Sequence, residues 1–376
     1  MTRLPGAPTR DGDTFQRILV IVTRQIGDVL LATPLVHAAR LRWPNARIDV
    51  LGFSGTLAIL EGNPDIGELI NVAPGAGWRR SWPLIRSLWR RYDLALIAQY
   101  SDRAHLYGLI AARTRSGQVP AGPKGRWKRR MLAHSVDLGG QQGHAAREKL
   151  NLLAPWVPSP PSKVIPPASR PLPEDIASRL VPGYVVMQTP SRVRYKQYPL
   201  AHCAEVVAGL ARQGRQVVLT GGPSAGDRDF VANVVQLAGA PGVLDVCGRL
   251  DFNQLATLLS DAALFIGPDT SITHLATACG APVVALYGPV DPNLWGPVPV
   301  DGLPHPPYER SGYHQRRNNV ILLQGNQACV PCNGAGCDRH DNSLSQCLET
   351  MAPERVLGAA GELLAGVPTA PALQKA

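Results

Sequence analysis

Residues 18–53, ILVIVTRQIGDVLLATPLVHAARLRWPNARIDVLGF, read as strand, turn, helix, turn and strand. Residues 18–22 are an unbroken run of β-branched residues and Leu, the pattern of a parallel strand buried on both faces. Gly27 permits a tight strand-to-helix turn, and Asp28 follows it at the start of a helix predicted over 29–43. Pro44-Asn45 stops that helix, and 48–53 form a second strand. This is a βαβ unit. Further along, 69–72 and 94–98 are strand candidates, and 82–92 reads as a basic, partly amphipathic helix. Strands alternating with helices predict an open parallel α/β sheet.

The pattern begins again in the second half. Between about residues 155 and 175 the chain turns to PWVPSPPSKVIPPASRPLP, which can continue neither a helix nor a central strand. Beyond it, strands are expected at 184–188, 216–220, 263–266 and 283–287, with helices at 200–213 and from near Thr270. A chain of 376 residues is long for one domain, so two α/β domains are expected, 1–165 and 166–376. Clefts at the carboxyl ends of such strands are where ligands bind.

Composition narrows the classes. The 37 Gly and 35 Pro follow no repeat, which excludes collagen, and 45% hydrophobic residues exclude wholesale disorder. No stretch approaches the roughly 18 consecutive apolar residues of a membrane span. Residues 1–17 lack an apolar signal core, and seven cysteines form an odd set, so a reduced, intracellular protein is expected. The charge is lopsided: residues 1–170 hold 24 Lys/Arg against 11 Asp/Glu, and the remainder 14 against 17. A basic first half implies an anionic partner, whether nucleic acid, a membrane surface or a charged substrate; a solvated surface is the alternative.

Three stretches carry candidate chemistry. In IGDVLLATP (residues 26–34), Asp28 is either an N-cap or a general base at the sheet's carboxyl edge; the roles compete, because a carboxylate stabilised by helix N–H groups is a weaker base. In IGPDTSITHLATACGAPVVALYGPVDPNLWGP (residues 266–297), a strand ends in a Gly-Pro turn and a helix opens at Asp269-Thr270-Ser271. Its free N–H groups suit an anion such as a diphosphate, with His274 one turn in on the side of Thr270. A capping Asp269 beside a buried His274 is the structural alternative. In TPSRVRYKQYP (residues 189–199), Thr189, Ser191, Arg192, Arg194 and Lys196 follow a strand end and can grip a phosphate or form a solvated loop.

Together, IGDVLLATP and GPDTSITHLATACGAPVVALYGPVDP resemble the ADP-heptose:lipopolysaccharide heptosyltransferases, glycosyltransferase family 9, and the late CVPC…C…CL segment is similar too. The resemblance spans about residues 18–365. It implies a GT-B fold, two Rossmann-like domains facing across a cleft. It also implies inverting transfer of heptose from ADP-heptose to the lipopolysaccharide inner core, with no cofactor required. Carried over by motif, Asp28 is the base that activates the acceptor hydroxyl. Thr189, Ser191 and Lys196 contact the diphosphate, while Asp269, Thr270, Ser271 and His274 hold the donor. Past the Gly221-Gly222-Pro223 turn, Asp227 stands nearest to the acidic ribose contact the family expects.

The basic half then gains a reading. Inner-core acceptors are acidic and lie on an anionic inner-membrane leaflet. Arg79, Arg80, Arg126, Lys128, Arg129 and Arg130 are candidate acceptor contacts, with Trp78, Trp82, Trp89 and Trp127 interleaved to settle at the interface. Ordinary helix-surface charge is the alternative. The implied location is cytoplasmic, peripheral to that membrane, with no nucleic-acid partner. Cys329, Cys332, Cys337 and Cys347 form C-x2-C-x4-C-x9-C. They can hold a structural zinc or iron, with His340 as an alternative ligand, or be a packed loop of reduced thiols. A protein (autotransporter) heptosyltransferase, a family 9 enzyme using another nucleotide sugar and, remotely, a basic nucleic-acid-binding module remain the competing functions.

Overall fold

The apolar run at the start of the chain becomes the middle of a sheet. In the computed structural model, β1 (Arg17–Val22) has Ile18 to Val22 fully buried. Each such side chain contributes about 1.5–3 kcal/mol through removal from water. The structure describes residues 14–75, 78–138 and 143–367, with the side chains of 78–80 outside that description. The chain divides into two units, residues 1–168 and 169–376, whose junction lies inside the Pro-rich run.

The first unit adds β2 (Arg47–Phe53), β3 (Glu68–Val72), β4 (Tyr92–Ile97), β5 (Ala112–Pro120) and β6 (His134–Leu138). Their order is β3-β2-β1-β4-β5-β6, every pair parallel. The order reverses between β1 and β4, where Ile21 stands beside Ile97. Leu19, Ile21 and Ile97 pack with Leu88, Tyr107 and Ala111 into one core.

The second unit contains β7 (Val185–Gln188), β8 (Val217–Thr220), β9 (Leu244–Asp245), β10 (Leu264–Pro268), β11 (Val283–Tyr287), β12 (His314–Arg317) and β13 (Val320–Gln324). The order is β12-β13-β11-β10-β7-β8-β9, parallel except for the β12–β13 pair at one edge. Here the reversal falls between β7 and β10, with Met187 beside Ile266. Val185, Met187, Leu219, Ile266 and Leu286 share a core with Val206, Leu210 and Val356. Among the described residues no helix is long and apolar enough to cross a membrane.

Two helices differ from the sequence expectation. The helix expected over 29–43 is two: Ile26–Leu30 and Thr33–Arg42. Pro34 has no N–H to give to the carbonyl four residues back, at Leu30. The Thr33 hydroxyl donates to Leu30 O instead, at 2.8 Å, and Thr33 Oγ1 accepts from Ile165 N at 2.9 Å. Asp28 therefore sits on a separate single turn. The basic helix runs over Trp78–Leu88, not 82–92, because Arg90 takes a left-handed backbone (φ 52) and Tyr92 already starts β4.

Thr33→Val keeps the shape of this junction and removes its hydroxyl, leaving Leu30 O and Ile165 N without that partner. The expected loss is about 1–3 kcal/mol of unfolding free energy, read as a lower urea midpoint at unchanged slope.

Candidate active site

Ligands of open α/β sheets bind where strand order reverses, at the carboxyl ends of the two strands that diverge. The chain has two such points, and the motif residues gather at them. After β1 come Thr23, Arg24 and the helical turn Ile26–Leu30, with Asp28 in it. The cap of that turn is Gln25, which makes no side-chain capping bond, so the N-cap reading of Asp28 does not hold. Its carboxylate lies between two cations instead. Arg24 Nε is 3.4 Å from Oδ2 and Lys149 Nζ is 3.6 Å from Oδ1.

Lys149 was not expected from the sequence. It lies on the helix Ala145–Leu150 and is buried. Burial pushes its ammonium below the ordinary lysine value, while Asp28 pulls it back up. The legible signal was a lysine inside the apolar frame of Ala145, Ala146, Leu150, Leu152 and Leu153, where a charge needs a partner.

At the second reversal, β7 delivers Thr189, Ser191 and Lys196, and β10 delivers Asp269, Thr270 and Ser271. The two strand ends approach closely: a Cβ on Gly267 would fall 2.6 Å from the Phe265 ring and 3.3 Å from Gln188 Cβ. Gln188 holds the loop, donating to Pro190 O at 3.1 Å and accepting from the Thr220 hydroxyl at 2.7 Å. Lys196 Nζ lies 2.6 Å from Asp269 Oδ2. Burial opposes the charge on Lys196, yet Asp269, with a smaller pull from Tyr195, holds the ammonium above its ordinary value. Asp269 is thus an ion-pair partner, not a cap. Thr270 occupies the N-cap with extended backbone and makes no side-chain capping bond; the helix Ser271–Ala278 follows, with His274 buried in it. The hydroxyls of Thr189 and Thr270 are buried and lack a hydrogen-bond partner among the described residues. Ser191 is half-buried, its N–H donating to Gln197 Oε1 at 3.3 Å.

Several candidate contact residues also bond to their own neighbours. Asp227 serves its own turn: Oδ2 accepts from Gly222 N and Oδ1 from the Ser224 hydroxyl, each at 2.8 Å. Lys128 is buried, with Nζ on Tyr100 O and 2.7 Å from Asp102 Oδ1. Arg129 bonds Asp137 at 2.7 Å and Pro120 O at 3.0 Å. These contacts tie the short helix Arg126–Met131 to its neighbours. Arg126 and Arg130 are exposed; the side chains of Arg79 and Arg80 lie outside the described residues. Cys329, Cys332 and Cys337 are exposed and Cys347 is buried. Among the described residues no group of three or more His, Cys, Asp or Glu side chains is arranged to hold a metal ion. The Cys347 thiol is pushed up to about 12, first by burial and then by the neighbouring Cys332, Cys337 and Cys329, so the four cysteines lie near one another.

The profile of glycosyltransferase family 9 (heptosyltransferase) matches residues 82–303. Lipopolysaccharide heptosyltransferase 3 of Escherichia coli is 31% identical over 286 residues, covering 72% of this chain and 83% of that one. The family 9 glycosyltransferase of Veillonella parvula superposes with a TM-score of 0.72 at 21% identity, covering 95% and 99% of the two chains. The ADP-heptose lipopolysaccharide heptosyltransferase II of Escherichia coli gives 0.70 at 21% identity over 93% and 98%. An enzyme of the glycosyl-transfer class is what fold and sequence define, and this chain belongs to glycosyltransferase family 9. Its two mostly parallel sheets are those of the GT-B fold.

Lys196→Met leaves the Asp269 carboxylate, 7% exposed, without its counter-charge. The expected cost is about 3 kcal/mol, near the low end for breaking a buried pair because Lys196 retains some water contact. The Lys196 value is raised on folding, so the pair's contribution is complete below the ordinary 10.5. It is lost as pH climbs through the higher folded value. Denaturant melts of both proteins should differ by a constant amount near neutrality and converge at strongly alkaline pH.

Proposed function

We propose that this glycosyltransferase moves heptose from ADP-heptose to the inner core of lipopolysaccharide, with inversion at the anomeric carbon. The relatives' names supply donor and acceptor. The observation that carries the reading in this chain is the second strand reversal: at the ends of β7 and β10 stand an ion-paired lysine, two buried hydroxyls without a hydrogen-bond partner among the described residues and an open helix N-terminus. That set of donors suits a diphosphate.

In the proposed reaction the acceptor hydroxyl loses its proton to the Asp28 carboxylate as its oxygen attacks the anomeric carbon. The bond from that carbon to the diphosphate breaks on the opposite face, and ADP leaves with the electron pair. Lys196, the N–H groups at Ser271 and the hydroxyls of Thr189, Ser191 and Thr270 meet the charge that develops on ADP. Asp269 aims Lys196, and His274 backs the helix turn against the donor. The reading assigns no cofactor. The Pro-rich run near residue 165 is the proposed boundary between an acceptor-binding and a donor-binding domain.

Asp28→Asn should reduce release of ADP in the presence of acceptor by about 10²–10⁴-fold and leave calorimetric ADP affinity unchanged. Full activity would remove Asp28 from the reaction.

The acceptor is lipid-anchored and acidic, which points to work at the cytoplasmic face of an anionic membrane. Trp82, Trp89 and Trp127 are 64%, 65% and 45% exposed in the first unit, and Arg126 and Arg130 lie exposed around Trp127. Aromatic rings with flanking cations favour a lipid interface. Co-sedimentation with phosphatidylglycerol vesicles is expected, falling with salt and in a Trp82→Ala/Trp89→Ala variant. Equal pelleting with neutral phosphatidylcholine vesicles would contradict an electrostatic surface.

A further inference from the structure

The proposed base does not stand in water. Asp28 is 12% exposed and Lys149 5%, and Lys149 Nζ reaches toward Ala145 O at 3.4 Å as well as Asp28 Oδ1. An ammonium so enclosed requires a counter-charge. The charges that bear on it are Asp28, Arg24 and Glu148. The neighbouring helix Thr33–Arg42 offers none: His37 pairs with Asp65 at 2.8 Å, Arg40 donates to the carbonyls of Pro44, Ala46 and Asp65, and Arg42 to Trp156 O. The following turn, Asn151–Leu153, carries no charge.

We propose that Lys149 is a positioning residue for transfer: its ammonium holds Asp28 by Oδ1 while Arg24 holds Oδ2, fixing the carboxylate in one orientation when the acceptor hydroxyl arrives. This rests on Asp28 being the base. Once the acceptor's proton has moved to Asp28, the two cations face a neutral acid. They favour passing that proton to water as product leaves, which restores the charged base. A buried lysine far from any function would be replaceable by an apolar residue of similar volume; one that aims a carboxylate would not.

The arrangement has a pH signature. Burial lowers the Lys149 value, whereas Lys196 is held above its ordinary one. As pH rises, Lys149 therefore loses its charge before Lys196, and with it the hold on Asp28. Arginine at this position stays charged. Glu148, half-buried beside it, supports the ammonium and can be changed without touching the site.

The experiment measures initial rates of ADP release from ADP-heptose with a heptosylated core acceptor, from neutral to alkaline pH, for the full chain and three variants. Lys149→Arg should extend the alkaline limb of kcat/KM upward by about one pH unit or more. Glu148→Gln should move it downward. Lys149→Met should lose kcat by about 10²-fold near neutrality and approach the parent along the alkaline limb, with the donor KM little changed. Unchanged ADP affinity reports that each variant is folded. If the Lys149 variants fail to fold, the Glu148→Gln limb alone decides. An alkaline limb unmoved in the folded variants, or full kcat in Lys149→Met, overturns the role of Lys149 while Asp28→Asn remains inactive. Full activity in Asp28→Asn removes the base itself, and the inference with it.

Discussion

In both units the first strand lies inside its sheet, with strands added outward on either side, and this ordering constrains everything else. Crossovers between parallel strands are right-handed, so the connections that leave β1 and β4 depart toward opposite faces, as do those that leave β7 and β10. Between each pair the carboxyl edge stays uncovered. The loops that start there are the ones with unusual chemistry: Arg24 to Asp28 after β1, Thr189 to Lys196 after β7, and Asp269 to Ser271 after β10. The inner strands β1, β4 and β11 are apolar and buried over Ile18–Val22, Leu94–Ile97 and Val283–Tyr287, as two-sided parallel strands must be, while the edge strands β6 and β12 carry polar, exposed residues.

The two reversals treat their carboxylates differently. Asp269 has a lysine at 2.6 Å, a close, largely buried ion pair in which each charge holds the other. Asp28 has its cations at 3.4 and 3.6 Å, near enough to be held and too far for either to take its lone pairs outright. The first arrangement suits a group that aims a lysine at an anion. The second suits a carboxylate that must accept a proton and then release it.

Local signals made the architecture legible. The run 18–22 and the IGD turn marked the first strand and the helical turn that carries Asp28, and the Pro-rich stretch holds the division between the two units, because continuous apolar residues, glycine turns and proline all act within a few residues of themselves. The break at Leu31-Ala32 was also written locally, in Pro34, but its repair by the Thr33 hydroxyl involves Ile165. The charged residues were the least legible. Lys128, in a basic run, is buried beside Asp102, and Arg129 pairs with Asp137, partners that come from other elements. Lys149, which no motif singles out, lies against Asp28, far away in the chain. Spacing in the sequence cannot reveal an ion pair that the sheet order creates.

The central claim is that the second unit's strand reversal binds the ADP part of a nucleotide sugar. Thermal unfolding of the purified chain with ADP, UDP, GDP and CMP tests it most directly. A nucleotide present at 100 times its dissociation constant adds about 2.7 kcal/mol to the folded state. The account expects ADP alone to raise the midpoint, and expects that rise to vanish in Lys196→Met. A rise with UDP or GDP in place of ADP, or with none of the four, would contradict it.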